Sequence, residues 1–200
     1  MCDRDDRRFV VRAHVPGALT LTPAMLARLW ERLAAENIAE RLFYDGGVTC
    51  ATGFAAFMTA PDVYCYAVYA AAGGADGGAG GGGEPEPVAL AWLNNFSGRA
   101  AMVHFAVLRA GLPMKTAIGR IVVGFMLHGQ TAGGGYCLDA LYGMTPGSYV
   151  HVLRFIRRLG FRVQGAIPGA VALRRPEGGQ RFEAGVLSVC TRESLGPLVL

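Results

Sequence analysis

Residues 155–161 read Phe155-Ile156-Arg157-Arg158-Leu159-Gly160-Phe161, and this short stretch decides the fold. Two arginines sit where the last turn of a helix offers its negative dipole end, and a glycine follows where the chain must leave the helix. The apolar run that resumes at Phe161 reads as a strand over residues 161–167. Upstream, Thr145-Pro146 is an N-cap followed by proline at the first helical position, so a helix is expected through Tyr149, Val152, Leu153 and Ile156. Before that, residues 136–142 (YCLDALY) read as another strand. The unit is therefore strand, helix, strand.

The same logic extends in both directions. Residues 88–96 and 100–109 are apolar runs joined by Asn95-Phe96-Ser97-Gly98, which is hairpin chemistry. After Gly111-Leu112-Pro113 a helix is expected, with Ile118, Ile121, Val122, Phe125 and Met126 on one side and an end at His128-Gly129. At the N-terminal end, residues 9–15 read as a strand. Thr22-Pro23 then opens a helix whose apolar positions are Met25, Leu26, Leu29, Leu33 and Ile38, with Arg28, Glu31, Arg32 and Glu36 largely on the other face. A shorter helix is expected over residues 49–58, stopping before Pro61, and a buried strand over residues 63–71. Residues 73–83 (GGADGGAGGGG) have no side chains to pack and lack both a GK[ST] ending and a following helix, so they read as a loop between strands. Residues 170–173 and 184–191 close the chain as strands, with turns at Pro168-Gly169 and Pro176–Gly179. Crossovers through helices demand parallel pairing in the second half, and hairpins demand antiparallel pairing in the first. The expected fold class is α/β, a mixed twisted sheet of about seven strands with helices on both faces, in one domain covering residues 1–200.

Composition narrows the function. The chain is 52% hydrophobic with 200 residues, enough for one core without staples. No uninterrupted apolar stretch is long enough to span a bilayer, and the charged N-terminus is unlike a secretory signal, so a cytoplasmic location with no membrane partner is expected. The five cysteines are scattered, with no CxxC pair, and are expected to be small buried side chains rather than a zinc site or disulfide framework. Net charge is +4, and Lys115 is the only lysine. No basic cluster is interleaved with aromatics, so no nucleic acid is expected, and an anionic small ligand fits the mild basicity.

Residues 88–191 resemble the core of the GCN5-related N-acetyltransferases, the later half being most similar to phage-like and bacterial members. Residues 155–161 look like that family's "lYeklGF" ending, residues 138–146 like its fifth strand and turn, and Ile118-Gly119-Arg120 like the run from its pyrophosphate loop into a long helix. The chain departs from the pattern at Met114 (Gln or Arg in the family loop), Ala117 (Gly), Tyr149 (often Asn) and Ile156 (often the acid Tyr). The resemblance implies an acyl-CoA N-acyltransferase fold and acetyl-CoA as cosubstrate. It implies transfer to an unknown small-molecule or peptide amine; the alternative is a catalytically impaired domain that binds acyl-CoA or a protein partner. It places the pantetheine arm along Val107, Leu108 and Arg109, paired like an added strand. The pyrophosphate falls on Met114, Lys115, Thr116, Ala117 and Gly119, where backbone N–H groups of a helix start and small residues would admit phosphate, with Lys115 and Arg109 adding charge.

Acetyl transfer also needs proton acceptors and donors near the thioester. His104 is titratable between Val103 and Phe105, either relaying a proton or sitting half-buried with one hydrogen bond. Asp139 reads as mid-strand, holding or deprotonating an amine, or accepting from neighbouring backbone. Tyr149 would protonate the leaving thiolate or pack on the ligand. The edge of the final strands leaves pairing into a homodimer open.

Overall fold

The computed structural model describes residues 9–70, 86–175 and 177–196; the expected glycine-rich loop at 73–83, Cys2 and Pro176 lie outside them. Strand β1 (Phe9–Val15) and the two-residue β2 (Ala18–Leu19) lead into α1 (Pro23–Ala35). Thr22 caps α1 as its side chain accepts from the Met25 amide, and Met25, Leu26, Leu29 and Leu33 are buried. Ile38 does not continue this helix. Asn37 adopts a left-handed backbone (φ 56°), which stops α1, and Ile38 instead caps a short α2 (Ala39–Leu42) that sequence reading did not foresee. Helix α3 (Ala51–Met58) starts after Cys50, whose sulfur accepts from the Gly53 amide.

Strands β3 (Tyr64–Ala70), β4 (Pro87–Ser97) and β5 (Ala100–Val107) form an antiparallel meander beside β1. Their alternation splits the core in two. Cys65, Ala67, Leu90, Trp92 and Ala106 face α1–α3, whereas Tyr66, Val68, Ala89, Ala91 and Leu93 face the other layer. That layer is α4 (Lys115–His128), reached through a 3-10 turn (Arg109–Met114), and its residues Ile118, Val122, Val123, Met126 and Leu127 are buried. Turn and helix together make a 20-residue segment, Arg109–His128, that is apolar enough to cross a membrane by length and composition. Its buried side nonetheless packs on the sheet, as a core helix does.

The second half departs from expectation at one cap. Strand β6 is Ala140–Pro146, four residues later than expected, and Thr145 and Pro146 belong to it, pairing with Val186 and Gly185. Ladder pairing with β8 (Gln180–Thr191) along all of β6 overrides the local Thr-Pro cap signal. Helix α5 (Val150–Arg158) therefore begins later, with Tyr149 at its N-cap and no side-chain cap. The expected turn at Pro168-Gly169 is absorbed as a register shift between Ile167 and Val171 inside a single strand, β7 (Arg162–Arg174). A last short helix, α6 (Arg192–Leu195), is capped by Thr191.

All eight strands form one sheet in the order β2-β1-β3-β4-β5-β6-β8-β7, against the seven or so expected. Among the described strands only β5 and β6 pair in parallel, joined across α4. Among the described cysteines Cys65 and Cys190 are buried as expected, but Cys50 and Cys137 are exposed; all four are free thiols.

Gly160 behaves as the opening motif requires. Its φ is +92°, and an added Cβ would lie 2.7 Å from the Ser194 carbonyl oxygen and 2.8 Å from Leu195 Cα, both backbone atoms of α6 that cannot swing away. Gly160→Ala should cost more than about 1 kcal/mol, lowering Tm by roughly 2–4 °C for each kcal/mol lost, as read by thermal denaturation.

Candidate functional site

The β5–β6 ladder consists of three pairs, Ala100–Ala140, Ala101–Leu141 and Met102–Tyr142. Beyond them no pair joins the two strands, although β4 follows β5 up to Val107 and β8 follows β6 up to Pro146. The strands thus diverge between two intact neighbours. A cavity of about 920 Å³ opens there, lined by Val103–Val107 on one side and Gly143–Pro146 on the other. It reaches both sheet faces: Ile38, Leu42 and Tyr44 line it from the α1–α3 layer, and Val122, Phe155 and Leu159 from the α4–α5 layer.

His104 lines this cavity from β5. Its ring stacks on Trp92 at 4.6 Å with the planes 4° apart, and Trp92 in turn stacks on Phe43 at 5.5 Å. Burial pushes the imidazole down to about 4, outweighing the opposing pull of the Asp45 carboxylate. At neutral pH the ring is uncharged. Its Nε2 lies 3.1 Å from Asn94 Oδ1, which can only accept, so Nε2 carries the hydrogen and Nδ1 keeps its lone pair. Tyr149 lines the cavity from the start of α5 and meets Tyr44 edge-on at 6.3 Å. The Tyr44 phenol is pushed up by burial first, then by Asp45 and Tyr149, which keeps it a hydrogen donor.

Asp139 is placed elsewhere. It precedes β6 rather than sitting within it, does not line the cavity, and is exposed. Its Oδ1 accepts from Arg192 at 2.7 Å and Arg99 at 3.0 Å, which hold the carboxyl below its usual range, the Arg192 hydrogen bond foremost. The Asp139 amide donates to the Arg99 carbonyl.

The residues expected at a cofactor divide likewise. Val107, Arg109 and Lys115 line the cavity. Leu108 is buried in the core below α1. Met114 packs, half-buried, against the α4 core, Thr116 is half-buried and Ala117 is exposed. At Gly119 an added Cβ would sit 2.7 Å from Leu159 Cδ1, so its smallness lets α4 meet the end of α5. The amide of Lys115 donates back to the Leu112 carbonyl, because the 3-10 turn extends the helical segment to Arg109. The Arg109 amide in turn donates to Glu36 Oε2 at 2.6 Å.

Glu36, Arg41, Tyr44 and Met144 are among the lining residues that the sequence did not single out. Three come from the junction around α2, whose folding over the sheet leaves no local pattern, and Glu36 looked like part of a solvent face.

No family model matches the sequence, and no curated protein matches it either. Solved structures do. Spermidine N-acetyltransferase from Vibrio cholerae, in complex with CoA and spermine, superposes with a TM-score of 0.67 at 10% identity, covering 95% of this chain and 99% of that one. A putative acetyltransferase from Acinetobacter baylyi gives 0.60 at 13% identity, with 96% and 99% covered. The aminoglycoside acetyltransferase AAC(6')-Ib, in complex with coenzyme A and kanamycin, gives 0.57 at 16%, with 92% and 96% covered. The chain therefore has the N-acetyltransferase fold, along essentially its whole length.

Because His104 is uncharged when folded, the unfolded chain binds the extra proton between pH 6.5 and 4. Stability should be full above pH 6.5 and fall as pH drops toward 4, by up to about 3 kcal/mol. Urea unfolding of wild type and His104→Gln at pH 7 and 4.5 checks this, the variant losing less on acidification.

Proposed function

We propose that this protein is an acetyl-CoA-dependent N-acetyltransferase that moves the acetyl group directly to a small-molecule or peptide amine. The observation that carries the reading is the parting of β5 and β6 over the cavity. The facing strand edges offer backbone groups that an amide-bearing arm pairs with as if it were a strand. Val107 and Arg109 would line that arm, and the Arg109 and Lys115 side chains would meet coenzyme phosphates at the mouth. The Arg109 amide is already taken by Glu36, so pairing at that point requires the carboxylate to move aside.

In the reaction the amine nitrogen bonds to the thioester carbonyl carbon, the carbon–sulfur bond breaks, and sulfur leaves as a thiolate. The nitrogen then loses a proton and the sulfur gains one. Tyr149, which lines the cavity, is the donor to sulfur. His104 offers the Nδ1 lone pair to the amine proton, directly or through one water. With its pKa near 4 it is a weak base, so it serves an amine that arrives largely uncharged. On this account kcat/KM climbs with pH along the acceptor amine's own titration.

Two measurements test the reading. Acetyl-CoA at one hundred times its Kd should stabilise the fold by roughly 2.7 kcal/mol, read as a rise in Tm, with free adenosine phosphates giving less. Thiol release across an amine panel should then show turnover, and Tyr149→Phe should cut kcat by about 10²-fold with acetyl-CoA affinity kept. No Tm shift at millimolar acetyl-CoA removes the proposal. A shift without turnover on any amine leaves the binding-module reading in its place.

A further inference from the structure

Three cations line the cavity: Arg41, Arg109 and Lys115. Among the described residues none of their side chains has an ion pair, whereas Arg32, Arg99, Arg181 and Arg192 all do. Among the described residues Glu36 is the one carboxylate that lines the same space, and it is engaged by the Arg109 amide. His104 adds no positive charge at neutral pH, and the neighbouring Asp45 carboxylate is turned to the Gly47 amide.

The cations are also separated by the sheet. Lys115 opens α4 on one face, and Arg109 follows the end of β5. Arg41 belongs to α2, whose Ala39 and Leu42 pack in the core of the opposite face, beside Tyr44 and His104. The coenzyme's phosphates account for the first two. Arg41 stands on the other side of the opening, where the acceptor would enter.

We propose that the acceptor is an amine bearing an anionic group, a carboxylate or a phosphate, which the Arg41 guanidinium holds while the amine is presented at the strand opening. This rests on the acetyl-transfer reading above. A fork of guanidinium donors suits a carboxylate or phosphate in two-point contact. Ile38 and Leu42, which line the cavity beside it, would pack against the apolar part of such an acceptor. A polyamine or aminoglycoside offers no anion for the Arg41 guanidinium to hold, and an ammonium group placed beside that guanidinium is repelled.

Calorimetry on the CoA-bound protein tests this with matched pairs: phenylalanine against 2-phenylethylamine, ornithine against putrescine, and phosphoethanolamine against ethanolamine, with spermidine and kanamycin as polycations. Turnover with acetyl-CoA is measured on the same set. The anionic member of at least one pair should bind and react about tenfold better than its partner, and the carboxylate and phosphate arms show which anion is preferred. Arg41→Ala should erase that preference through KM, Arg41→Lys should restore part of it, and CoA affinity should be kept in both. The inference is overturned if the pairs are bound equally, if the polycations are preferred, if nothing in the panel binds, or if Arg41→Ala weakens CoA itself. In those cases CoA binding still upholds acetyl transfer; failure of CoA to bind removes both.

Discussion

After Met102 and Tyr142 the parallel strands β5 and β6 stop sharing hydrogen bonds, and everything that makes this chain a candidate enzyme depends on that parting. Each strand keeps its outer neighbour, β4 for β5 and β8 for β6, so the divergence does not unravel the sheet. What it leaves are peptide groups on two facing edges. Sealed in apolar surroundings, each would cost about 1–3 kcal/mol, so they must face water or a ligand. The opening is propped from both sides: Phe105 stacks with Phe155 of α5 at 6.3 Å, and His104 stacks on Trp92 above the α1–α3 core. Gly119 lets α4 close against Leu159 at the base of the same wedge.

The fold was legible where local signals and tertiary pairing agree. Thr22-Pro23 and Leu159-Gly160 stand where expected, because a cap and a left-handed glycine are settled within a few residues, whereas the turn expected at Asn95–Gly98 tightens to Gly98-Arg99 with Asn95–Ser97 still in β4. Thr145-Pro146 carries the same signal as Thr22-Pro23 but lies in a strand. Seven ladder pairs with β8 outweigh one potential cap, and nothing within ten residues of Pro146 announces them.

The site was legible in part for the same reason. His104, Val107, Arg109, Lys115 and Tyr149 line the cavity because they lie on the crossover unit that the sequence displays as strand, helix, strand. Asp139 lies one residue before the strand that was expected to contain it, paired with Arg99 and Arg192 and away from the cavity lining. Glu36, Arg41 and Tyr44 reach the cavity from a segment distant in sequence, through a left-handed Asn37 that breaks the helical pattern. Contacts of that kind are set by the packing of one layer over another. The lining carries Arg41, Arg109 and Lys115 as cations and His104 as a neutral imidazole.

Native-state amide hydrogen exchange with and without coenzyme A examines the opening itself. Binding between the strands should slow exchange across residues 103–107 of β5 and 143–146 of β6, and leave β1 and β3 unchanged. Unaltered exchange in those two segments, or new protection confined to the β7–β8 hairpin, would contradict the account.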